Sequence, residues 1–404
     1  MGGIVLRPAV GIDVSKGESH IQAFRKQKDV FGRILNIQHT KEGFREFHAF
    51  SQKLEREVEQ KPVFIMEATG HYHLPMIFFL EEKGYEAIVI NPYISSHTRK
   101  HSLRRVKTDV ADAYHLGQLF YKEEFETYKQ RSQQAIKLRQ LTRQRDSLTD
   151  MHTQIKLQFQ ATIEKIFPTY PKLFHKFFSK ASLQVLESYT TPASVLETPK
   201  EQIANDIYEA IKPARDYNWA EGKADHLIEL ANIAPIQDIE EGLLINLNIQ
   251  MKLLEQYLMH ITTLEKEIKT VTKDMEEYHL LTSIPGVGDI TAADIIAEIG
   301  SIDRFNNPRK LVAFAGVDPE VYSSGRFTSS SNRISKRGSR QLRRAMYMAA
   351  KCGLSGKVNG PLQAFYDKKR AEGKPFKVAV MACANKLLHW IYAMLTKKEY
   401  FINE

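Results

Sequence analysis

Asp109 and Asp112 stand three residues apart in KTDVADAYHLGQLF, residues 107–120. The apolar residues around them (Val110, Ala113, Leu116, Leu119, Phe120) recur at helical spacing, and residues three apart share one helix face. Two carboxylates held that way repel unless a cation lies between them. Two more acids sit in unusual company. Asp13 lies at the end of an apolar stretch, PAVGIDVS at 8–15, and Glu67 ends another in VFIMEATG at 63–70. A charge at the end of a buried strand must be desolvated without an obvious partner. Hard oxygen ligands of this kind hold Mg²⁺, and paired ions can stabilise both the attacking and the leaving oxygen of a phosphodiester. A second account of the helical pair stays open. Thr108 can cap the helix, and acids in its first turn suit the positive end of the dipole.

The charge balance points the same way. The chain of 404 residues carries a net charge of +9, which suits a polyanionic partner. One basic cluster, TRKHSLRRVK at 98–107, leads straight into the paired aspartates and contains Arg99, Lys100, Arg104, Arg105 and Lys107. From Val321 to Tyr366 there is no Asp or Glu, while Arg326, Arg333, Lys336, Arg337, Arg340, Arg343 and Arg344 fall inside. Charge runs commonly form solvated faces. Two of them, each beside a candidate catalytic group, favour nucleic acid.

Composition excludes several classes. With 43% hydrophobic and 26% charged residues, the chain is globular, with length for two or three domains. No apolar run of membrane-spanning length is expected, and the N-terminus lacks the build of a secretory signal and the myristoylation pattern. Only Cys352 and Cys383 are present, so disulfide scaffolds and structural zinc are not expected and a cytoplasmic location fits.

The elements that must position the acids follow from periodicity. Residues 8–15, 19–26 and 29–38 read as three strands of an antiparallel meander, followed by a helix at 41–58. A buried strand at 63–70, a helix at 72–83 and a buried strand at 85–92 come next, and the helix with Asp109 and Asp112 closes an α/β domain over 1–128. Long amphipathic helices at 131–166 and 238–278 dominate a helical, coiled-coil region over 129–278 and pair with each other or with a second copy of the chain. The stretch at 167–237 reads as mostly helical. A mainly α domain over 279–404 opens with LLTSIPGVGDITAADIIAEIG, where Gly286 and Gly288 shape a helix-hairpin-helix turn. Such a turn presents backbone N–H groups to a phosphate or simply packs two helices.

The order of Asp on the first strand, Glu on the fourth and Asp-x-x-Asp on the closing helix resembles ribonuclease H-like nucleases of the RuvC type. More narrowly, the chain resembles the DEDD insertion-sequence transposases, the family of bridge-RNA-guided recombinases. GIDVSK, MEATGHY and KTDVADAYHLG carry the likeness in the first domain. In the last domain SIPGVGDITAADIIAEIG, FAGVDPEVYSSG and ISKRGSRQLRRAMYMAA carry it. The resemblance implies a Mg²⁺-binding site at Asp13, Glu67, Asp109 and Asp112, with DNA ends and target as substrates. It also implies a structured guide RNA, and a homodimer that assembles into a tetramer.

It implies a second catalytic part as well, a serine that attacks DNA, and the match falls on Ser324 in YSSG. Nothing beside Ser324 in sequence can activate its hydroxyl, so the acidic site would have to. Where the family has a glycine- and basic-rich loop, this chain has RFTSSSNR, which leaves Ser323, Ser329, Ser330 and Ser331 as rival hydroxyls. A junction nuclease using water would keep the acids and form no covalent adduct. An actin-like ATPase would need a glycine-rich phosphate loop after its early Asp, which GIDVSKGESH lacks. A non-catalytic RNA-binding scaffold would tolerate loss of all four acids.

Overall fold

The computed structural model describes residues 7–68, 70–90, 92, 109–123, 133–235, 239–319, 323–324, 327–328, 333–358 and 360–402. The chain divides into two units, Met1–Gln130 and Arg131–Glu404.

In the first unit, alternating apolar residues form the expected meander. Strands β1 (Ala9–Val14), β2 (Glu18–Lys26) and β3 (Asp29–Gln38) pair antiparallel in sequence order. Helix α1 (Lys41–Val58) follows, its first turn capped by Thr40, whose hydroxyl accepts from the Gly43 N–H at 3.1 Å. Strand β4 (Val63–Glu67) then runs parallel to β1, and after α2 (Leu74–Glu82) strand β5 (Glu86–Ile90) runs parallel to β4. The sheet is therefore mixed, in the order β3-β2-β1-β4-β5. Apolar residues on both faces of β1 and β4 show why. Val10, Ile12, Phe64 and Met66 meet Phe47 and Leu54 of α1 and Met76 and Leu80 of α2. Val63, Ile65, Ile88 and Ile90 form a second core on the other face with Leu116 and Leu119. Those two belong to α3 (Asp109–Phe120), the helix of the paired aspartates.

The second unit is almost wholly helical. Helices α4 (Gln133–Ile166) and α9 (Glu241–Thr272) pair with each other, which answers one of the two options the amphipathic pattern left open. Their direction is antiparallel: the Gln134 side chain donates to the Val271 carbonyl, Arg145 pairs with Glu265, and the Tyr257 hydroxyl meets the Met151 sulfur. The stretch between them folds as α5 (Lys180–Ser188), α6 (Pro192–Leu196), α7 (Lys200–Ile211) and α8 (Tyr217–Asn232). These pack with α4 and α9 on a core of Phe159, Phe167, Tyr170 and Leu227.

A separate core holds the C-terminal helices α10 (Glu276–Thr282), α11 (Asp289–Ile299), α12 (Pro308–Ala315), α13 (Arg340–Leu354), α14 (Gly360–Ala371) and α15 (Phe376–Lys397). Leu138 of α4 and Ile268 of α9 belong to this core too, so the ends of the long pair are rooted in it. Among the described residues one helix, α15, is long and apolar enough by length and composition to cross a membrane, and it packs as a core helix. Half of that stretch is buried, and Val380, Cys383, Leu387, Leu388 and Ile391 on it face the core.

Candidate active site

Register places two of the four acids side by side. β1 and β4 are hydrogen-bonded in parallel with Ile12 opposite Met66, so Asp13 and Glu67 are the next pair, at the C-terminal ends of both strands. Side chains alternate along a strand, so Asp13 and Glu67 share the face of Gly11, Val63 and Ile65. That is the face α3 covers.

Two glycines set how closely α3 approaches. A Cβ built on Gly11 would lie 2.1 Å from the Ala113 carbonyl oxygen and 2.4 Å from the Gly117 nitrogen. A Cβ on Gly117 would lie 2.2 Å from the Phe24 ring. Helix backbone thus rests directly on strand backbone, a contact only glycine allows. The helix runs antiparallel to β1. Near its C-terminal end the Tyr121 hydroxyl donates to the Arg7 carbonyl, at the entry to the strand, while Ala113 lies over Gly11. The helix N-terminus with Asp109 and Asp112 is thereby directed toward the strand ends that carry Asp13 and Glu67. The side chain of Asp109 lies outside the described residues; those of Asp13, Glu67 and Asp112 are half-buried.

The donor chemistry fits a hard divalent cation: carboxylate oxygens from adjacent parallel strands and from a helix on the same face. Among the described side chains, no group of three His, Cys, Asp or Glu is drawn close enough to form a finished cage. One neighbour was not singled out in the sequence. His20 stands opposite Asp13 in the β1–β2 ladder and shares its face. The signal available was the tight β1–β2 turn, which fixes the partner of Asp13 once both strands are assigned.

Ser324 lies in the second unit, on strand β6 (Ser323–Ser324), opposite Phe327 of β7 (Phe327–Thr328). Its side chain, the rival serines 329–331, and Arg326 lie outside the described residues, as do Arg99, Lys100, Arg104, Arg105 and Lys107. The base of the hairpin is well fastened. Pro319 bridges Ile334, the Ser335 hydroxyl donates to Asp318 at 2.5 Å, and the Ser339 N–H donates to the Phe314 carbonyl at 2.7 Å. A Cβ on Gly338 would lie 2.0 Å from that same carbonyl oxygen. Arg333, Lys336, Arg337, Arg340 and Arg344 are exposed around this base, whereas Arg343 is turned inward and donates to the Ala315 carbonyl at 2.9 Å. The described segments that flank the hairpin and the start of the basic helix α13 are therefore fastened together.

Beneath it lies a buried carboxylate. Glu298 is 1% exposed and accepts from Arg143 through both oxygens, at 2.9 and 3.2 Å. It also accepts from Arg139 at 3.4 Å and from the Ser339 hydroxyl at 2.8 Å. Burial alone would push this carboxyl up; the Arg143 and Ser339 hydrogen bonds and the two guanidinium charges outweigh it and hold it below the usual carboxylate range. Because the Ser339 hydroxyl also caps α13 at the Leu342 N–H, Glu298 ties α4, α11 and the basic helix together. One turn before it, Asp294 Oδ1 is buried with no hydrogen-bond partner among the described residues. Burial and the nearby Asp146 charge push its carboxyl up to about 7. Two acids four apart in the otherwise apolar AADIIAEIG were the available signal.

The turn at Gly286 and Gly288 divides its roles. Gly286 has φ +99°, and a Cβ there would lie 2.3 Å from the Gly353 nitrogen, so it packs the turn onto α13. Gly288 is exposed, and a Cβ there would meet nothing within 4 Å. Asp289 occupies the first turn of α11, with Lys269 at 3.6 Å.

A mixed five-stranded sheet with acids at two central strand ends and on the helix laid across them is compatible with a ribonuclease H-like DEDD domain. Comparison with known families specifies the class. A transposase model for DEDD proteins of the IS110 type matches residues 10–168, and the "Transposase IS116/IS110/IS902 family" model matches residues 278–367. The chain belongs to this transposase family. Among its relatives, the "Insertion element IS116 uncharacterized 44.8 kDa protein" of Streptomyces clavuligerus is 25% identical over 73% of this chain and 72% of its own length. The "Transposase for insertion sequence element IS1111A" of Coxiella burnetii is 36% identical over 34% of this chain and 38% of its own. The "Pilin gene-inverting protein" of Moraxella bovis is 30% identical over 30% of this chain and 38% of its own. The last two thus align over little more than a third of their length.

Proposed function

We propose that this protein is a DNA transposase that excises and inserts its own element by way of a covalent serine intermediate, guided by a structured RNA. The observation that carries the reading is the parallel register of β1 with β4, Ile12 opposite Met66, which brings Asp13 and Glu67 to neighbouring strand ends, with α3 packed on that side of the sheet. Family membership and the relatives named as a transposase and a gene-inverting protein support it.

In this reading Asp13, Glu67, Asp109 and Asp112 would hold Mg²⁺, which would supply neutralisation of charge developing on the scissile phosphate. The closeness of helix and strand backbones keeps the ligand-bearing ends in fixed relation, a condition for positioning the phosphate. The Ser324 hydroxyl attacks phosphorus: a Ser Oγ–P bond forms, the bond to one strand's oxygen breaks, and the serine proton ends on the leaving hydroxyl. Attack by a hydroxyl of the other DNA reverses the step and frees the serine. Target choice by base pairing asks the protein for backbone and shape contacts, which suits the basic surround of the hairpin. The α4–α9 pair serves assembly into a dimer and then a tetramer.

The test is strand exchange on paired DNA substrates with Mg²⁺. Asp13→Asn, Glu67→Gln and Asp112→Asn each abolish exchange while leaving DNA binding intact; retained exchange in these variants removes the acids from the reaction. If Ser324→Ala still cuts DNA and no adduct forms with the native chain, the protein is a metal-dependent junction nuclease using water.

A further inference from the structure

On the face of the sheet opposite the acids, the first unit carries a cavity of about 460 Å³ between α1 and α2. It is lined by His39, Thr40, Lys41, Phe44, Arg45, His48, Phe79 and Lys83. Helical periodicity explains the set. Positions 41, 44, 45 and 48 fall on one stripe of α1 and give Lys, Phe, Arg and His, while Glu42 and Glu46 fall on the neighbouring stripe. On α2 and its C-cap, positions 79 and 83 give Phe and Lys. Two helices thus face each other with aromatic rings interleaved with cations.

The rings are arrayed for stacking. Phe44 and Phe79 have centroids 4.9 Å apart, His39 stacks on Phe44 at 5.8 Å, and His48 meets Phe79 edge-on at 6.0 Å. Lys83 Nζ lies 5.8 Å over the Phe79 ring. Lys41 and Arg45 are exposed at the rim. Among the described residues no carboxylate lines the cavity; Glu82 pairs with Lys83 at 2.8 Å from outside it. A core crevice needs none of these charges, and a merely solvated face does not gather aromatic rings between them.

We infer that this cavity binds single-stranded nucleic acid, with a base stacked among Phe44, His39 and Phe79 and its phosphates on Lys41, Arg45 and Lys83. Aromatic platforms rimmed by cations take single strands because every base has a π face and every linkage a negative charge. Duplex DNA keeps its bases stacked on each other and does not enter. The site is separate from the carboxylates and binds whether or not they act in strand exchange.

Photocrosslinking of the full chain tests it, with a short single-stranded RNA carrying 4-thiouridine and the matching DNA carrying 4-thiothymidine, followed by mapping of the adducts. The expected result is an adduct on the segments holding His39, Phe44, His48 or Phe79, from RNA, from DNA or from both; the two probes tell which strand occupies the site. Lys41→Glu with Arg45→Glu, both at the exposed rim, lowers that adduct about tenfold or more, and Phe44→Leu, which keeps apolar volume and removes the ring, lowers it similarly, stacking being worth about 1–3 kcal/mol per base. Asp13→Asn leaves it unchanged. Adducts confined to other segments, or cavity adducts indifferent to all these variants, would overturn the assignment.

Discussion

Gly11→Ala places one methyl group between β1 and α3. A Cβ there would lie 2.1 Å from the Ala113 carbonyl oxygen and 2.4 Å from the Gly117 nitrogen, both backbone atoms that no rotamer change can move aside. Ordinary contact is reached only at about 3.4 Å, so helix and strand must part by more than an ångström. Overpacking of this kind costs about 1–3 kcal/mol. For a unit of this size, that is a fall in Tm on the order of 4–10 °C. The helix that parts from the strand is the one bearing Asp109 and Asp112, and a misplacement of about 1 Å at a reacting centre can lower a rate by about 10²-fold. The substitution touches no carboxylate. Scanning calorimetry of the full chain reads the first effect and strand exchange with Mg²⁺ reads the second. A variant with native Tm and native exchange would refute the idea that glycine-mediated contact sets the geometry of the acids.

The remaining expectations concern the second unit. Gly286→Ala, at φ +99° against the Gly353 backbone, costs at least about 2 kcal/mol, whereas Gly288→Ala in open space costs less than about 0.5 kcal/mol; equal melting shifts contradict the division of roles. Asp294 keeps its proton up to about pH 7 when folded and loses it near 3.8 when unfolded, so folding binds a proton and stability falls as pH rises between those values. Asp294→Asn removes that slope and raises Tm at pH 8 by the equivalent of about 1–3 kcal/mol, with little change at pH 4; parallel pH profiles for both chains count against it. Glu298 has the opposite sign. Its stabilising contribution is complete above the ordinary carboxylate range and is lost as pH falls through its lower folded value. Glu298→Gln costs about 2–4 kcal/mol at pH 7, read by urea unfolding, and flattens the acid limb of the profile.

Much of the first unit was legible because its strands alternate and its buried strands are short and apolar. The helix at 41–58 and the strand at 29–38 have the bounds their periodicity gives. The strand expected over 63–70 stops at Glu67, leaving that acid at the very end of the ladder. The acids could be chosen from type and context. Their pairing could not, since it depends on β1 and β4 being parallel neighbours in register, a long-range fact. His20 was missed for the same reason. Glu298 and Asp294 were overlooked because an acid on an apolar helix shows no partner in sequence; Arg139 and Arg143 stand some 155 residues away on another helix. The cavity of Phe44 and Phe79 needs two helices at once, although the Lys-Phe-Arg-His stripe of α1 could have been seen alone. The middle stretch, 167–237, read only as helical because its core draws equally on α4 and α9.

The central claim is that carboxylates gathered at one sheet end act with a serine hydroxyl on DNA. The most direct measurement is recovery of the protein–DNA adduct from a Mg²⁺-containing exchange reaction, followed by proteolysis and mass spectrometry of the nucleotide-bearing peptide. The expected result is a phosphodiester on Ser324, absent from Ser324→Ala and from Asp112→Asn alike. Cut DNA with no bound peptide, or a nucleotide carried on a tyrosine, would contradict it.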